Sequence, residues 1–148
     1  TTTDTESWKV DLDWQSFNAK CLISIGGPAV NMLSYFHERS LGIPFYLTWI
    51  NGVPYIESNL TGNLYGFSED FSWDHGLIFV SKERNTYIIS AWGLTHQGTQ
   101  AASLILRYHG EKFQDVLTGL AVIFRWEDSN GNNVVDPDDT IVPLEVWG

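Results

Sequence analysis

Near its end the chain carries Asp128-Ser129-Asn130-Gly131-Asn132-Asn133-Val134-Val135-Asp136-Pro137-Asp138-Asp139, set between two runs of β-branched and aromatic residues. No other stretch restricts the fold as much. Oxygen-bearing side chains fall at positions 1, 3, 5, 9, 11 and 12 of the twelve, with apolar Val135 at position 8. Calcium is a hard cation that takes six to eight oxygens, and carboxylates and amides on alternate residues let a short loop wrap one ion. The ligand set read from this spacing is Asp128, Asn130, Asn132, Val134 through its carbonyl, Asp136 and Asp139, with Asp138 in reserve. The flanks, Leu120–Trp126 and Thr140–Trp147, read as strands. The expected unit is therefore a β-hairpin closed by an acidic loop. The competing reading is an Asx-rich hairpin turn with no ion, because Asn, Asp and Gly favour turns for backbone reasons alone.

Position 6 is Asn133 where the sharp turn usually has glycine, and Asn is the next residue to accept a left-handed backbone. Position 12 is Asp139, one carbon shorter than the usual bidentate Glu. The layout resembles EF-hand-type and, in its last position, dockerin-type loops. An EF-hand places a helix on each side; the flanking strands exclude a helix pair that an ion would open.

Earlier in the chain, Ala19–Ile25 is a short apolar run ending at Gly26-Gly27-Pro28, a strand and a glycine turn. Ala29, Val30, Leu33, Phe36 and His37 then follow helical spacing up to Arg39. Ile43–Ile50 and Val53–Glu57 read as strands joined by Asn51-Gly52, the favoured two-residue hairpin turn. Asn59–Asp74, rich in Gly, Asn, Ser and aromatics, reads as an exposed excursion. Gly76–Ser81 and Thr86–Ala91 read as strands. Ala101, Leu104, Ile105 and Tyr108 mark one face of a second helix, with Thr99 as its N-cap and Gly110 closing it. The fold class expected is α/β, with α+β as the open alternative. It has a mixed sheet, two helices and the C-terminal hairpin around the acidic loop.

The length of 148 residues sets one domain, 1–148, with polar residues 1–7 expected to be disordered and Trp8–Phe17 an alternating aromatic arm. Lys and Arg total 8 against 18 Asp and Glu, a formal charge of −10. That charge argues against nucleic acid, whose binding depends on phosphate neutralisation, and against anionic membrane surfaces. Only Cys21 is present, so no internal disulfide forms. No apolar run is long enough to span a bilayer. The start Thr-Thr-Thr-Asp-Thr reads as a processed or truncated product.

Catalytic frames are not evident. Gly26-Gly27-Pro28 lacks both the dinucleotide and the P-loop patterns, and its proline removes a backbone donor that a phosphate would use. His37, His75, His96 and His109 are scattered without zinc spacing. Ser72 or Ser24 with His75 and Asp74 makes a triad on paper only, with no G-x-S-x-G frame. Tyr55, Tyr65, Phe67, Phe71 and Trp73 cluster in the excursion, as a cover for a small core or as a platform for sugar rings or a protein contact. Asn59-Leu60-Thr61 is an N-glycosylation sequon, meaningful on export.

Leu22-Ile23-Ser24-Ile25-Gly26-Gly27-Pro28-Ala29-Val30-Asn31 resembles the "IGGP…N" segment of archaeal S-layer and related envelope proteins. Thr86–Gly93 followed by Gly98-Thr99-Gln100-Ala101-Ala102 resembles their "Y-hydrophobic-AG…GT-x-AA" segment, with Trp92 standing between Ala91 and Gly93 here. Such sequences also often carry an acidic D-x-N-G-x loop like that at 128–139. The resemblance implies an extracellular or cell-envelope domain with a structural role and no catalytic residues. Its partners would be other envelope proteins or further copies of itself. The reading is thus a non-catalytic, S-layer-like surface domain stabilised by Ca2+. Its alternatives are an enzyme or nucleotide-binding protein using Gly26-Gly27-Pro28, and a carbohydrate-binding module using 55–73.

Overall fold

The computed structural model describes residues 21–26, 42–83 and 86–148. The N-terminal segment 1–17, the helix expected over Ala29–Arg39 and the Gly27-Pro28 part of the glycine turn lie outside them. Eight strands and one helix form among the described residues: β1 Cys21–Ile25, β2 Phe45–Ile50, β3 Val53–Ser58, β4 Leu64–Tyr65, β5 Trp73–Glu83, β6 Thr86–Gly93, α1 His96–Arg107, β7 Ala121–Glu127 and β8 Thr140–Trp147.

Five strands form one sheet in the order β1-β6-β5-β7-β8, and β2-β3-β4 form a second. The larger sheet is mixed, because β1 runs parallel to β6 while its other pairs are antiparallel. The α/β class is therefore corrected to a mostly β architecture: two sheets with one helix among the described residues. The expectation of alternating strands and helices treated Ile43–Glu57 as part of one sheet. In the fold this hairpin, ordered by Asn51 (φ 53°) and Gly52 (φ 78°) at its turn, belongs to a separate layer. Both turn residues sit at positive φ, as a tight two-residue hairpin requires.

The two faces of the large sheet follow the strand period of two. Ile78, Ala91, Val122, Phe124 and Trp126 meet Ala101, Ala102 and Ile105 of α1 on one side. Leu77, Phe79, Trp92 and Ile123 meet Phe45 and Ile56 of the second sheet on the other. Burying both faces explains why β7 reads as an almost unbroken apolar run, AVIFRWE, without alternation. The edge strand β8 carries Pro143 and a register shift opposite Ile123/Phe124, which interrupt its ladder. The C-terminal hairpin expected around the acidic loop forms as β7–loop–β8.

Candidate functional site

The acidic loop closes on itself through two Asx turns and one longer side-chain-to-backbone bond. Asn132 N donates to Asn130 Oδ1 (3.2 Å), Val134 N to Asn132 Oδ1 (2.9 Å) and Asn133 N to Asp128 Oδ2 (2.7 Å). Asn133 takes φ 57°, the left-handed backbone read from its place at position 6. Asp136 Oδ2 accepts the amide hydrogens of Asn130 (3.0 Å) and Asn132 (3.4 Å), and its Oδ1 accepts Asp138 N (3.0 Å). The Asn130 contact leads in holding the Asp136 carboxyl below the usual carboxylate range. Two amide dipoles thus meet this carboxylate where a cation would otherwise balance it. Asp128, Asn130, Asn132 and Asp136 are therefore drawn together.

Asp139 does something the sequence did not show. It is buried, and its Oδ2 accepts both Trp126 Nε1 and Asp136 N at 3.0 Å while Oδ1 accepts Ser129 N at 3.1 Å. One carboxylate therefore ties a fully buried tryptophan to both ends of the loop. Asp138 points outward to Lys112 (3.2 Å), an exposed pair. Val134 exposes its side chain.

Asp128 Oδ1 is buried with no hydrogen-bond partner among the described residues. An ionised oxygen withdrawn from water without a donor is costly, and a bound cation would relieve it. The donor set, carboxylates with amides and a backbone carbonyl, is the oxygen chemistry calcium takes. Among the described residues no three His, Cys, Asp or Glu side chains converge as a metal group. Calcium here would therefore depend on the Asn and carbonyl oxygens as well.

A second polar centre lies at the start of β5. Asp74 and His75 are neighbours on a strand, so they point to opposite faces of the sheet. Asp74 is almost wholly buried, and its Oδ2 accepts Thr95 Oγ1 (2.7 Å), Thr95 N (2.8 Å) and Gly98 N (3.0 Å); its Oδ1 accepts His75 N (2.7 Å). It is the cap of α1, reaching across from another element. The N-cap position is Thr95, whose own side chain makes no capping bond to the helix, and Thr99 instead binds Gly93 N at 3.0 Å. The expected Thr99 cap is corrected: the helix starts a turn earlier because a distant carboxylate serves its first N–H groups. Burial pushes the Asp74 carboxyl up to about 6, against the pull of its four donors.

On the other face, His75 Nδ1–H donates to Gly66 O (2.6 Å) and Nε2 faces Arg125 Nη1 (3.5 Å). Burial, with Arg125 contributing, keeps this imidazole below its ordinary pKa. Arg125 lies 4.5 Å over the Trp73 ring and pairs with Glu127 at 2.7 Å. The Ser72-Asp74-His75 triad is thus not assembled, since Asp74 and His75 serve different layers. The aromatics of 55–73 divide. Trp73 and Tyr65 pack on His75, whereas Phe71 stands 43% exposed against His96 with φ 61°, a backbone few bulky residues take.

Glu145 of β8 receives the hydroxyls of Ser58 (2.6 Å), Thr61 (2.9 Å) and Tyr65, and so fastens the small sheet to the edge of the large one. No local pattern announces this cluster, because its members lie 80 or more residues from Glu145. Asn59 is exposed in the turn between Ser58 and Thr61. Of the Gly26-Gly27-Pro28 turn, Gly26 is anchored by its N–H to Ala91 O (3.0 Å). An apolar cavity of about 100 Å³ between α1 and the sheet, walled by residues such as Ile89, Leu106 and Leu117, offers almost no polar contact. No helix among the described residues is long and apolar enough to cross a membrane.

No protein-family model, curated protein or solved structure matches this chain.

Proposed function

We propose that the protein is a non-catalytic, S-layer-like domain of the cell envelope, acting in assembly or surface contacts, with its last hairpin clipped by calcium. The observation that carries the calcium part is the buried Asp128 Oδ1, unpartnered among the described residues, inside a loop that contains two Asx turns. Asp128, Asn130, Asn132, the Val134 carbonyl, Asp136 and Asp139 would hold the ion. When bound, calcium supplies positive charge to a segment with four carboxylates, of which Asp138 pairs with Lys112. The protein's own part is positional. Asp139 holds Trp126 and the loop ends, so a stable loop means a stable β7–β8 register. Sheet-edge register matters to a domain that meets neighbours along its surface.

The envelope reading rests on the sequence resemblance, the acidic composition and the exposed apolar tip of the β2–β3 hairpin, where Trp49, Ile50 and Val53 face solvent. An exported chain would also present the Asn59 sequon on its surface.

Thermal melting with a calcium titration tests the clip. Ion binding only to the folded state stabilises by about 2.7 kcal/mol at a hundredfold excess over Kd. Melting should rise with calcium, fall with chelator and lose its response in Asp128→Asn/Asp136→Asn. An unchanged midpoint at millimolar calcium removes the metal from the reading.

A further inference from the structure

The loop also contains Asn130-Gly131, one of two Asn-Gly pairs in the described residues; the other is Asn51-Gly52 at the β2–β3 turn. Asn-Gly is the pair most open to self-conversion, because glycine has no side chain to keep its backbone nitrogen off the preceding side-chain carbonyl. The two pairs sit in different surroundings. Asn51 and Gly52 are both held at positive φ between paired Ile50 and Val53, so closing a ring there means opening the hairpin turn. Asn130 lies outside the strand ladders of the described residues, in a run of bends, with a negative φ where Asn51 has a positive one, although Gly131 takes φ 74° much as Gly52 does. Its amide is already polarised: Asn132 N donates to Oδ1 at 3.2 Å, where the developing oxyanion of an addition step would need a donor.

We propose that Asn130 is a self-modification site, converted through a cyclic imide to aspartate or isoaspartate while Asn51 is protected by its hairpin. Gly131 N loses its proton to solvent base and bonds to Asn130 Cγ. The Cγ–Nδ2 bond breaks, and Nδ2 leaves as ammonia after taking a proton from water. Water then opens the imide at either carbonyl, giving a carboxylate at position 130. No oxidant or reductant enters.

The product changes the loop in a definite way. The Asn130 Nδ2 donor to Asp136 Oδ2 is lost, and a fifth carboxylate joins Asp128, Asp136, Asp138 and Asp139. Without a cation the new charge faces Asp136 unpaired. With calcium it adds a charged ligand at position 3; this consequence, unlike the modification itself, rests on the calcium reading above.

The protein is aged in mildly alkaline buffer and mapped by peptide mass spectrometry, with Asn51-Gly52 as internal reference. Conversion at Asn130 severalfold faster than at Asn51, abolished in Asn130→Gln, is the expected result. Equal or faster conversion at Asn51, or none at Asn130, overturns the proposal. Asn130→Asp, made directly, is compared with wild type by calcium titration. It should melt lower without calcium and bind the ion about tenfold tighter. Tighter binding by wild type would overturn the consequence for calcium. If neither protein responds to calcium, the calcium reading fails and the peptide map alone decides the modification.

Discussion

Replacing Asp139 by alanine tests whether one buried carboxylate organises the C-terminal hairpin. The change removes the acceptor of Trp126 Nε1, Asp136 N and Ser129 N together. Hydrogen bonds to a charged group contribute about 1.5–3 kcal/mol each in net terms, and a buried donor left unpaired costs about 1–3 kcal/mol. Ser129 is exposed and Asp136 only partly buried, so water replaces much of what their N–H groups lose. Trp126 is fully buried and has no such replacement. The expected loss is about 4 kcal/mol, a large fraction of the roughly 5–15 kcal/mol that holds a domain folded. Denaturant unfolding followed by tryptophan fluorescence measures it, with Asp138→Ala as the comparison. Among the described residues the side chain of that neighbour makes only an exposed ion pair with Lys112, which is worth at most about 1 kcal/mol. A double-mutant cycle with Trp126→Phe should return a coupling of about 1–2 kcal/mol. A loss below about 1 kcal/mol for Asp139→Ala, or one equal to that of Asp138→Ala, would refute the reasoning.

Two further outcomes follow from the other polar centre. A Cβ at Gly98 would lie 2.1 Å from Asp74 Oδ2 and 2.9 Å from Gly93 Cα, so Gly98→Ala must displace the cap of α1. It should destabilise by about 3 kcal/mol or more in thermal or denaturant unfolding, whereas an alanine normally favours a helix. The Asp74 carboxyl is raised to about 6 from 3.8, so the folded state binds its proton more tightly than the unfolded chain between those values. This contribution to stability is complete below the unfolded value and is lost as pH rises through about 6, a span of about 3 kcal/mol. In pH-dependent unfolding, the advantage of wild type over Asp74→Asn should therefore shrink from pH 4 to pH 7; an advantage that grows would contradict the shift.

What could be read from the sequence is what local chemistry controls. Asn51-Gly52 specifies a tight hairpin because only such residues take its backbone. Thr140–Trp147 and the run after Leu120 specify strands because β-branched and aromatic side chains suit a pleated surface. The loop between them was legible to the level of its Asx turns, since each Asn or Asp bonds a backbone N–H only a few residues away. The second layer was not, because periodicity shows that a strand buries a face and not which sheet it joins.

The same boundary runs through the acidic loop and the helix. Residue types and spacing alone determined that 128–139 would be an oxygen-rich turn between two strands, and that 101–108 would be helical. Only the tertiary structure decided that Asp139 turns inward to Trp126 and that Asp74 caps a helix beginning 22 residues later, at His96. The physical reason is the cost of burial. A buried N–H must find an acceptor, and which carboxylate supplies it depends on what the packed layers bring within 3 Å.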